Sequence, residues 1–176
     1  DANRQVQVGF DGFPDGSGAG FVRSESEIGP VIDEVFAHAT GQIVVASFAS
    51  HVHRVQQVLN AASRHGRKVA FVGRSMVRNM GLAAELGYLD VPSGVLRDLA
   101  DMRDLPVNQR VYMSTGSQGE PMAVLARIAN KSHPKISVGG GDTVLFASSL
   151  IPGNENSVYR LINGLIKLGA HVVHQG

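Results

Sequence analysis

The stretch from Gln42 to Leu59 reads Gln-Ile-Val-Val-Ala-Ser-Phe-Ala-Ser-His-Val-His-Arg-Val-Gln-Gln-Val-Leu. Its apolar run 43–46 is β-branched at three of four positions, which is typical of a strand buried on both faces. From Val52 onwards the apolar residues recur at helical spacing, and Ser50 is the predicted N-cap of that helix. The stretch therefore predicts a strand, a short polar turn and a helix.

The same pattern repeats along the chain. Strands are predicted over 43–46, 68–73, 110–115, 143–148 and 171–174, and helices over 26–39, 50–64, 76–86 and 156–168. A short helix capped by Ser93 is predicted over 93–101, and another helix begins at Pro121. Strands that alternate with helices predict an α/β fold. We expect three layers: a mostly parallel sheet of about five strands, with helices on both faces, of Rossmann or flavodoxin-like type.

Composition narrows the class of protein. The chain has 176 residues, enough for one domain with a sizeable core. It carries 16 Lys and Arg against 15 Asp and Glu, so overall charge does not indicate a nucleic-acid binder. Cysteine is absent, which excludes disulfides and cysteine metal sites, and no apolar run is long enough to span a membrane. We therefore expect a cytoplasmic protein without a membrane partner.

The first 19 residues differ from the rest in composition. They are rich in glycine, with Pro14 and two turn-forming aspartates, and they show little periodicity. We interpret 1–19 as a flexible arm or a linker introduced by cloning, and 20–176 as the folded domain. The alternative is that 5–10 forms a short edge strand.

Polar side chains follow every predicted strand. Ligands of parallel sheets bind where the carboxyl ends of the strands meet, so these side chains are expected at one edge. The polar residues and glycines at these positions are Ser47, Ser50, His51, His53, Arg54, Gly73, Arg74, Ser75, Ser114, Thr115, Gly116, Ser117, Gln118, Glu120, Ser148, Ser149, Gly153, Asn154, Glu155, His174 and Gln175. Hydroxyls, amides, histidines and arginines suit a phosphorylated or polyanionic ligand.

Three motifs on or near this edge do not complete a known chemistry. His51-Val-His53 resembles the start of a His-x-His-x-Asp-His metal motif, but Arg54-Val55 stands where Asp-His is required. The turn Gly116-Ser-Gln-Gly-Glu120 has no P-loop lysine and is not a Gly-x-Ser-x-Gly nucleophile elbow. Gly139-Gly-Gly-Asp142 precedes a strand and is predicted to be a turn. Glu120 and Glu155 are the only carboxylates at the edge, and both are expected to complement helix dipoles. No catalytic and no metal-ligating residue is predicted.

Several segments together resemble a known family. They are Ser-Phe-Ala-Ser-His-Val-His-Arg-Val-Gln-Gln (47–57), Val-Gly-Arg-Ser-Met with Asn79 (72–79), Gly-Ser-Gln-Gly-Glu-Pro-Met (116–122), and Gly-Asp-Thr-Val-Leu-Phe-Ala-Ser-Ser with Ile-Pro-Gly-Asn-Glu (141–155). In this order they resemble the β-CASP domain of ribonuclease J, in the metallo-β-lactamase superfamily. The likeness covers about 20–176, and 1–19 do not match.

The resemblance implies a parent enzyme that processes and degrades RNA in the 5′-to-3′ direction and as an endonuclease. It implies two zinc ions held by a metallo-β-lactamase domain, whose metal motifs are absent from this sequence. It further implies single-stranded RNA bound between the two domains, and the parent is expected to be a homo-oligomer. This chain alone is then a channel wall without activity and without a cofactor of its own.

The RNA- and phosphate-binding residues predicted on this basis are Ser47, Ser50, His51, Arg54, Arg74, Ser75, Ser117, Gln118 and Glu120. Two alternatives remain open. One is a stand-alone phosphosugar- or nucleotide-binding domain that uses 116–120 as its phosphate loop. The other is a pure interaction module through which the parent assembles.

Overall fold

The computed structural model of the protein describes residues 28–174. Its helices and strands follow in the order α1 (Ile28–His38), β1 (Ile43–Ala46), α2 (Val52–Arg64), β2 (Lys68–Phe71), α3 (Arg74–Glu85), β3 (Arg110–Ser114), α4 (Val124–Ala129), β4 (Thr143–Phe146), α5 (Glu155–Lys167) and β5 (His171–Val173). Two 3₁₀ helices, Leu99–Asp104 and Val107–Gln109, precede β3. The expectations for 1–19, for the helix start at 26–27 and for Gln175 lie outside the described residues.

The five strands form one sheet in the order β2-β3-β1-β4-β5, and every pairing is parallel. The central strand β1 pairs Ile43 with Val111 on one side and with Thr143 on the other. All four residues of β1 are buried, as its continuous apolar sequence predicts. The predicted α/β class and parallel sheet are confirmed.

Helices cover both faces of the sheet. Ile43 and Val45 of β1 pack with α1, α2 and α3, whereas Val44 and Ala46 pack with α4 and α5. The division follows from the two-residue alternation of side chains along a strand. Each fully buried aliphatic side chain of these layers contributes roughly 1.5–3 kcal/mol relative to its exposed state. The two apolar layers hold the five strands in place, so that the carboxyl ends of the parallel strands lie along the same edge of the sheet.

The connection from β2 to β3 passes around the free side of β2. The Val69 N–H donates to Val95 O at 2.9 Å, Arg97 N–H donates to Val69 O at 2.9 Å, and Leu96 makes a single parallel bridge to Val69. Met102 is then buried among the residues of the α4–α5 layer. The predicted helix over 93–101 is wrong. Gly94, at φ +74°, begins a turn, and burial of Val95 holds the chain extended beside the sheet.

Two predicted helix starts are also wrong. Helix α2 begins at Val52 with His51 as its N-cap residue, and Ser50 makes no cap. Helix α4 begins at Val124 rather than at Pro121, and Met122, in the turn before it, is 85% exposed. The helix does not begin at Pro121 because the Ala123 N–H closes a turn on Glu120 O at 3.1 Å and Ala123 itself is extended, at φ −73° and ψ 160°. The other boundaries differ from the predictions by one or two residues, the usual scatter at element ends.

Among residues 28–174, no helix has the length and apolar character needed to cross a membrane.

Candidate functional site

Three buried serines join the central strands at the carboxyl edge. Ser47 follows β1, Ser114 ends β3 and Ser148 follows β4. The Ser148 hydroxyl donates to Ser47 Oγ at 3.2 Å and accepts the Phe48 N–H at 3.2 Å, while Ser114 Oγ donates to Val45 O at 3.3 Å. The hydroxyls of Ser47 and Ser148 thus bond to each other, and those of Ser148 and Ser114 bond to backbone groups beneath the surface. Ser47, predicted to contact phosphate, therefore supports the edge from below.

Gln118 connects two loops of the edge. Its carboxamide oxygen accepts the Ile151 N–H at 2.9 Å and the Asn154 Nδ2–H at 3.3 Å, and its Nε2 donates to Ser149 O at 3.0 Å. The side chain is only 5% exposed. Gln118, predicted to bind RNA, therefore uses both ends of its carboxamide to hold the turn after β3 against the loop after β4.

Gly119 sits where the same turn meets helix α5. It adopts φ +77°, and a Cβ atom on it would lie 2.6 Å from the carbonyl carbon of Ser157. Only glycine fits both the left-handed conformation and this close approach. The alternative interpretation took the glycines of this turn as part of a phosphate loop. At position 119, however, packing against α5 is sufficient to require glycine.

The starts of α2 and α3 face this edge. Their N-cap residues are His51 and Gly73, and the Val52 N–H at the start of α2 donates to Ser50 O at 3.1 Å. The first N–H groups of a helix have no acceptor within the helix, and they carry the positive end of its dipole. The Asn79 Nδ2 donates to Ala49 O at 2.9 Å and ties the turn before α2 to α3. The site prediction did not include Asn79, which lies in the second turn of α3, although the family resemblance included this residue.

The nine predicted binding residues divide by depth. Ser50, Arg74 and Glu120 are exposed, and His51 and Ser75 are half-buried. Ser47, Ser117, Gln118 and Arg54 are buried, and Arg54 is 0% exposed. The structure therefore brings the first five to the surface of the edge and places the last four beneath it.

The two carboxylates of the edge have different surroundings. Glu155 lies in the first turn of α5, as expected, and its Oε2 accepts the Gly153 N–H at 2.8 Å. Glu120 precedes α4 by four residues, so the expected complement to that helix dipole is wrong. Glu120 instead accepts the Ala123 N–H at 3.1 Å through its backbone carbonyl, within the turn.

Residues 28–174 hold no cluster of metal-ligating side chains, and one cavity at this edge is small. In the range 28–174, no group of three or more His, Asp or Glu side chains lies close enough to hold a metal ion. One cavity at the edge, lined in part by Ser117, Ser148 and His174, has a volume of about 10 Å³. Pockets for small organic ligands occupy hundreds of Å³. That cavity is therefore too small for a nucleotide or a sugar phosphate.

The fold and the edge define an α/β domain with a parallel sheet, whose exposed polar surface follows the carboxyl ends of its strands. A sequence profile of the family described as "Ribonuclease J, beta-CASP domain" matches residues 40–165, well over half of the chain. The chain belongs to this β-CASP domain family of ribonuclease J.

Relatives agree with this assignment. The chain is 51% identical over 150 residues to ribonuclease J of Mycolicibacterium smegmatis, and 48% identical over 155 residues to ribonuclease J of Thermus thermophilus. These alignments cover 85% and 88% of this chain, and 27% of each relative. Ribonuclease J of Helicobacter pylori is 39% identical, over 89% of this chain and 23% of its own length. The chain thus spans about a quarter of the length of the relatives it matches.

Proposed function

We propose that this chain forms one wall of the RNA-binding channel of a ribonuclease of the J type. The exposed part of the carboxyl edge would contact the phosphate backbone of single-stranded RNA. The observation that carries the proposal is that α2 and α3 both begin at this edge, and that Arg74 stands exposed in the first turn of α3. Backbone N–H groups at a helix start, together with a guanidinium, suit a phosphate.

The depth of the predicted residues refines this proposal. Four of the five surface residues, Arg74, Ser50, His51 and Ser75, can donate hydrogen bonds to a phosphate group, whereas the ionised carboxylate of Glu120 only accepts them. The role proposed for the four buried residues is to hold the turns that carry these surface side chains. They are Ser47, Ser117, Gln118 and Arg54. Direct contacts are therefore assigned to the surface group, and positioning to the buried group.

The hydrolytic step belongs, in this proposal, to another part of the parent protein. Residues 28–174 provide no cluster suited to a metal ion. The family implies two zinc ions, and we assign them to a metallo-β-lactamase domain of the parent. On the same basis we propose that the parent is cytoplasmic and forms a homo-oligomer. The chain alone is expected not to cleave RNA with any added metal. RNA cleavage that persists after repurification, and is abolished by a substitution in this chain, would contradict that expectation.

The test is equilibrium binding of a 5′-labelled single-stranded RNA, measured at several salt concentrations. Arg74→Ala should weaken binding several-fold at low salt, and it should reduce the slope of log K against log salt by about 0.7, as for one lost phosphate contact on a single strand. The matched control is Arg160→Ala, because Arg160 is exposed on α5, in the opposite helical layer.

The two variants distinguish a specific contact from general charge. If both lower the affinity equally, the RNA responds only to net charge and the edge is not the site. If Arg74→Ala leaves both the affinity and the salt slope unchanged, the proposed wall is wrong and the interaction-module alternative gains support.

A further inference from the structure

A second polar surface lies at the amino ends of the strands, on the border of the sheet opposite to the carboxyl edge. The volume of this amino-edge pocket is about 510 Å³, and its lining includes Gln42, Arg110, Tyr112, His133, Lys135 and Asp142. Sites for small organic ligands have volumes of this order. Because the five residues of β3 rise about 3.3 Å each, the pocket lies at least about 13 Å from the carboxyl edge.

Asp142 holds one wall of the amino-edge pocket in place. Its Oδ1 accepts the Gln42 N–H at 3.1 Å, and its Oδ2 accepts the Gln42 Nε2–H at 3.1 Å and the Gly139 N–H at 2.9 Å. The Gln42 Nε2 also donates to Ser137 O. These bonds join the connection before β4 to the start of β1, so this wall is preformed. They also engage the carboxylate of Asp142 with three N–H groups of the fold.

His133 contributes a hydrogen-bond donor to the lining. Its Nδ1 accepts the N–H groups of Lys135 and Ile136 at 3.2 and 3.1 Å. A neutral imidazole that accepts at Nδ1 carries its hydrogen on Nε2. Burial lowers the pKa of His133, which favours this neutral form at pH 7. The loop therefore fixes the tautomer of His133 and leaves Nε2–H as the donor that it can offer to a ligand.

Two cations give the amino-edge pocket a net positive charge. The Arg110 guanidinium is held by its Nε, which donates to Leu105 O at 2.8 Å, and by its Nη2, which donates to Arg103 O at 3.0 Å. Both acceptors are neutral carbonyl groups. Within 28–174, neither Arg110 nor the exposed Lys135 forms an ion pair. Because Asp142 is the single acidic residue of the lining, the charge favours an anionic ligand.

Tyr112 adds a hydroxyl donor beside Arg110. The residue is only 3% exposed, although it lines the pocket. Burial raises the pKa of its phenol, and the opposing effect of Arg110 is smaller, so the hydroxyl keeps its proton. With its ring buried, Tyr112 presents little aromatic surface on which a base could stack. Gln42 and Ser137 are further polar residues of the lining, which suits hydroxyl groups on the rest of a ligand.

We propose that the amino-edge pocket binds a small phosphomonoester of the sugar phosphate type. Arg110 and Lys135 compensate the charge of the phosphate group, and the Tyr112 hydroxyl and the His133 Nε2–H donate to its oxygens. Four donor groups match the three terminal oxygens of a phosphomonoester better than the two oxygens of a carboxylate. The pocket shares no residue with the turn 116–120 or with the carboxyl edge, so the proposal does not depend on RNA binding there.

The test is an NMR titration of the ¹⁵N-labelled chain with glucose 6-phosphate, glucose and inorganic phosphate. The backbone amides of 135–139 should shift with glucose 6-phosphate. Glucose should bind at least about tenfold more weakly, since it lacks the charged group that two cations and two further donors recognise. Inorganic phosphate should shift the same amides but bind several-fold more weakly than the ester, because it leaves the rest of the pocket unfilled.

Substitutions identify the groups that bind the ester. Lys135→Gln should weaken the binding of glucose 6-phosphate about five- to tenfold, and Tyr112→Phe, which removes only the hydroxyl, should weaken it several-fold. The matched control is Lys131→Gln, because Lys131 is exposed on the same loop but outside the pocket lining, and the affinity should change less than twofold. Arg74→Ala at the carboxyl edge should leave the affinity unchanged. The NMR spectrum verifies that each variant is folded.

Four results would overturn the proposal. The first is equal binding of glucose and glucose 6-phosphate, which means that the phosphate is not recognised. The second is an equal loss in Lys131→Gln and Lys135→Gln, which indicates a response to net charge alone. The third is a set of shifts confined to the carboxyl edge and abolished by Arg74→Ala. The fourth is equal weakening of single-stranded RNA binding by Lys135→Gln and Arg74→Ala, which makes the pocket part of an RNA surface.

Discussion

The carboxamide oxygen of Gln118 accepts the backbone N–H of Ile151 at 2.9 Å, across two loops that are far apart in sequence. The same side chain also bonds to Ser149 and Asn154. Replacement by alanine removes these hydrogen bonds, together with a longer one to Ser117 Oγ at 3.5 Å, and leaves partly buried groups without their partners. Gln118→Ala should therefore lower the free energy of unfolding by about 1–3 kcal/mol. Urea denaturation measures the loss, with Asn108→Ala on an exposed 3₁₀ turn as control.

Hydrogen exchange adds a local measurement to the Gln118 prediction. The Ile151 amide should exchange faster in Gln118→Ala, while the amides of β1 keep their relative protection. Uniform acceleration across the sheet, without a specific effect at Ile151, would mean that Gln118 does not hold this loop.

Gly119 and Gly66 form a matched pair for testing close approach. Both adopt a left-handed φ, +77° and +68°, but a Cβ atom at 119 would lie 2.6 Å from Ser157, whereas one at 66 has no heavy atom within 4 Å. Gly66→Ala should cost about 1–2 kcal/mol, the left-handed penalty alone. Gly119→Ala should cost more by about 1–3 kcal/mol, since α5 must shift. Equal thermal shifts would show that the contact with Ser157 relaxes freely.

Arg54 is expected to stabilise the fold rather than to contact RNA directly. The side chain is 0% exposed at the start of α2. Arg54→Ala should lower the free energy of unfolding by about 2–5 kcal/mol, because it leaves a cavity and removes the interactions of a buried guanidinium. Denaturant unfolding measures this, with Arg64→Ala, exposed at the other end of α2, as control. A fully stable Arg54→Ala protein would contradict the positioning role.

His133 should make stability depend on pH. Burial lowers the pKa of its imidazole below the usual 6.5, with smaller effects from Arg127 and Lys135. The Nδ1 atom accepts N–H groups of Lys135 and Ile136 at 3.2 and 3.1 Å, which requires it to be unprotonated. The folded state therefore binds the proton less well than the unfolded state. The contribution is complete above pH 6.5 and is lost as the pH falls through the folded pKa.

The comparison for His133 is a substitution that cannot titrate. His133→Asn keeps an acceptor for the two N–H groups, so its melting temperature should fall less between about pH 7.5 and about pH 5 than that of the unsubstituted chain. Parallel pH profiles for both proteins would assign the acid sensitivity to other groups.

The fold was predictable because its signals are local. The apolar run 43–46 and the helical period after Val52 specified a buried strand and a crossover helix, and the structure confirms both. The segment 93–101 was not predictable, since the bridge from Leu96 to Val69 depends on a strand distant in sequence. The start of α4 was missed because Pro121 favours a helix start locally, while residues 120–123 form a further turn that leaves Ala123 extended.

The candidate site was predictable as a location and less so in its depth. Strand ends identified the edge, but residue type does not reveal that Arg54 is buried while Arg74 is exposed. The role of Gln118 likewise depends on the loop after β4, which contacts it only in the folded chain.

The pairing of β1 also has a consequence for synthesis of the protein on the ribosome. Its two neighbours in the sheet, β3 and β4, follow it in sequence only after α2, β2 and α3. Until β4 emerges, the apolar strand 43–46 has at least one side without a partner, and contacts of such long sequence separation form slowly. The nascent chain therefore exposes its most apolar strand for longer than any other, and this interval is when aggregation or chaperone binding is expected.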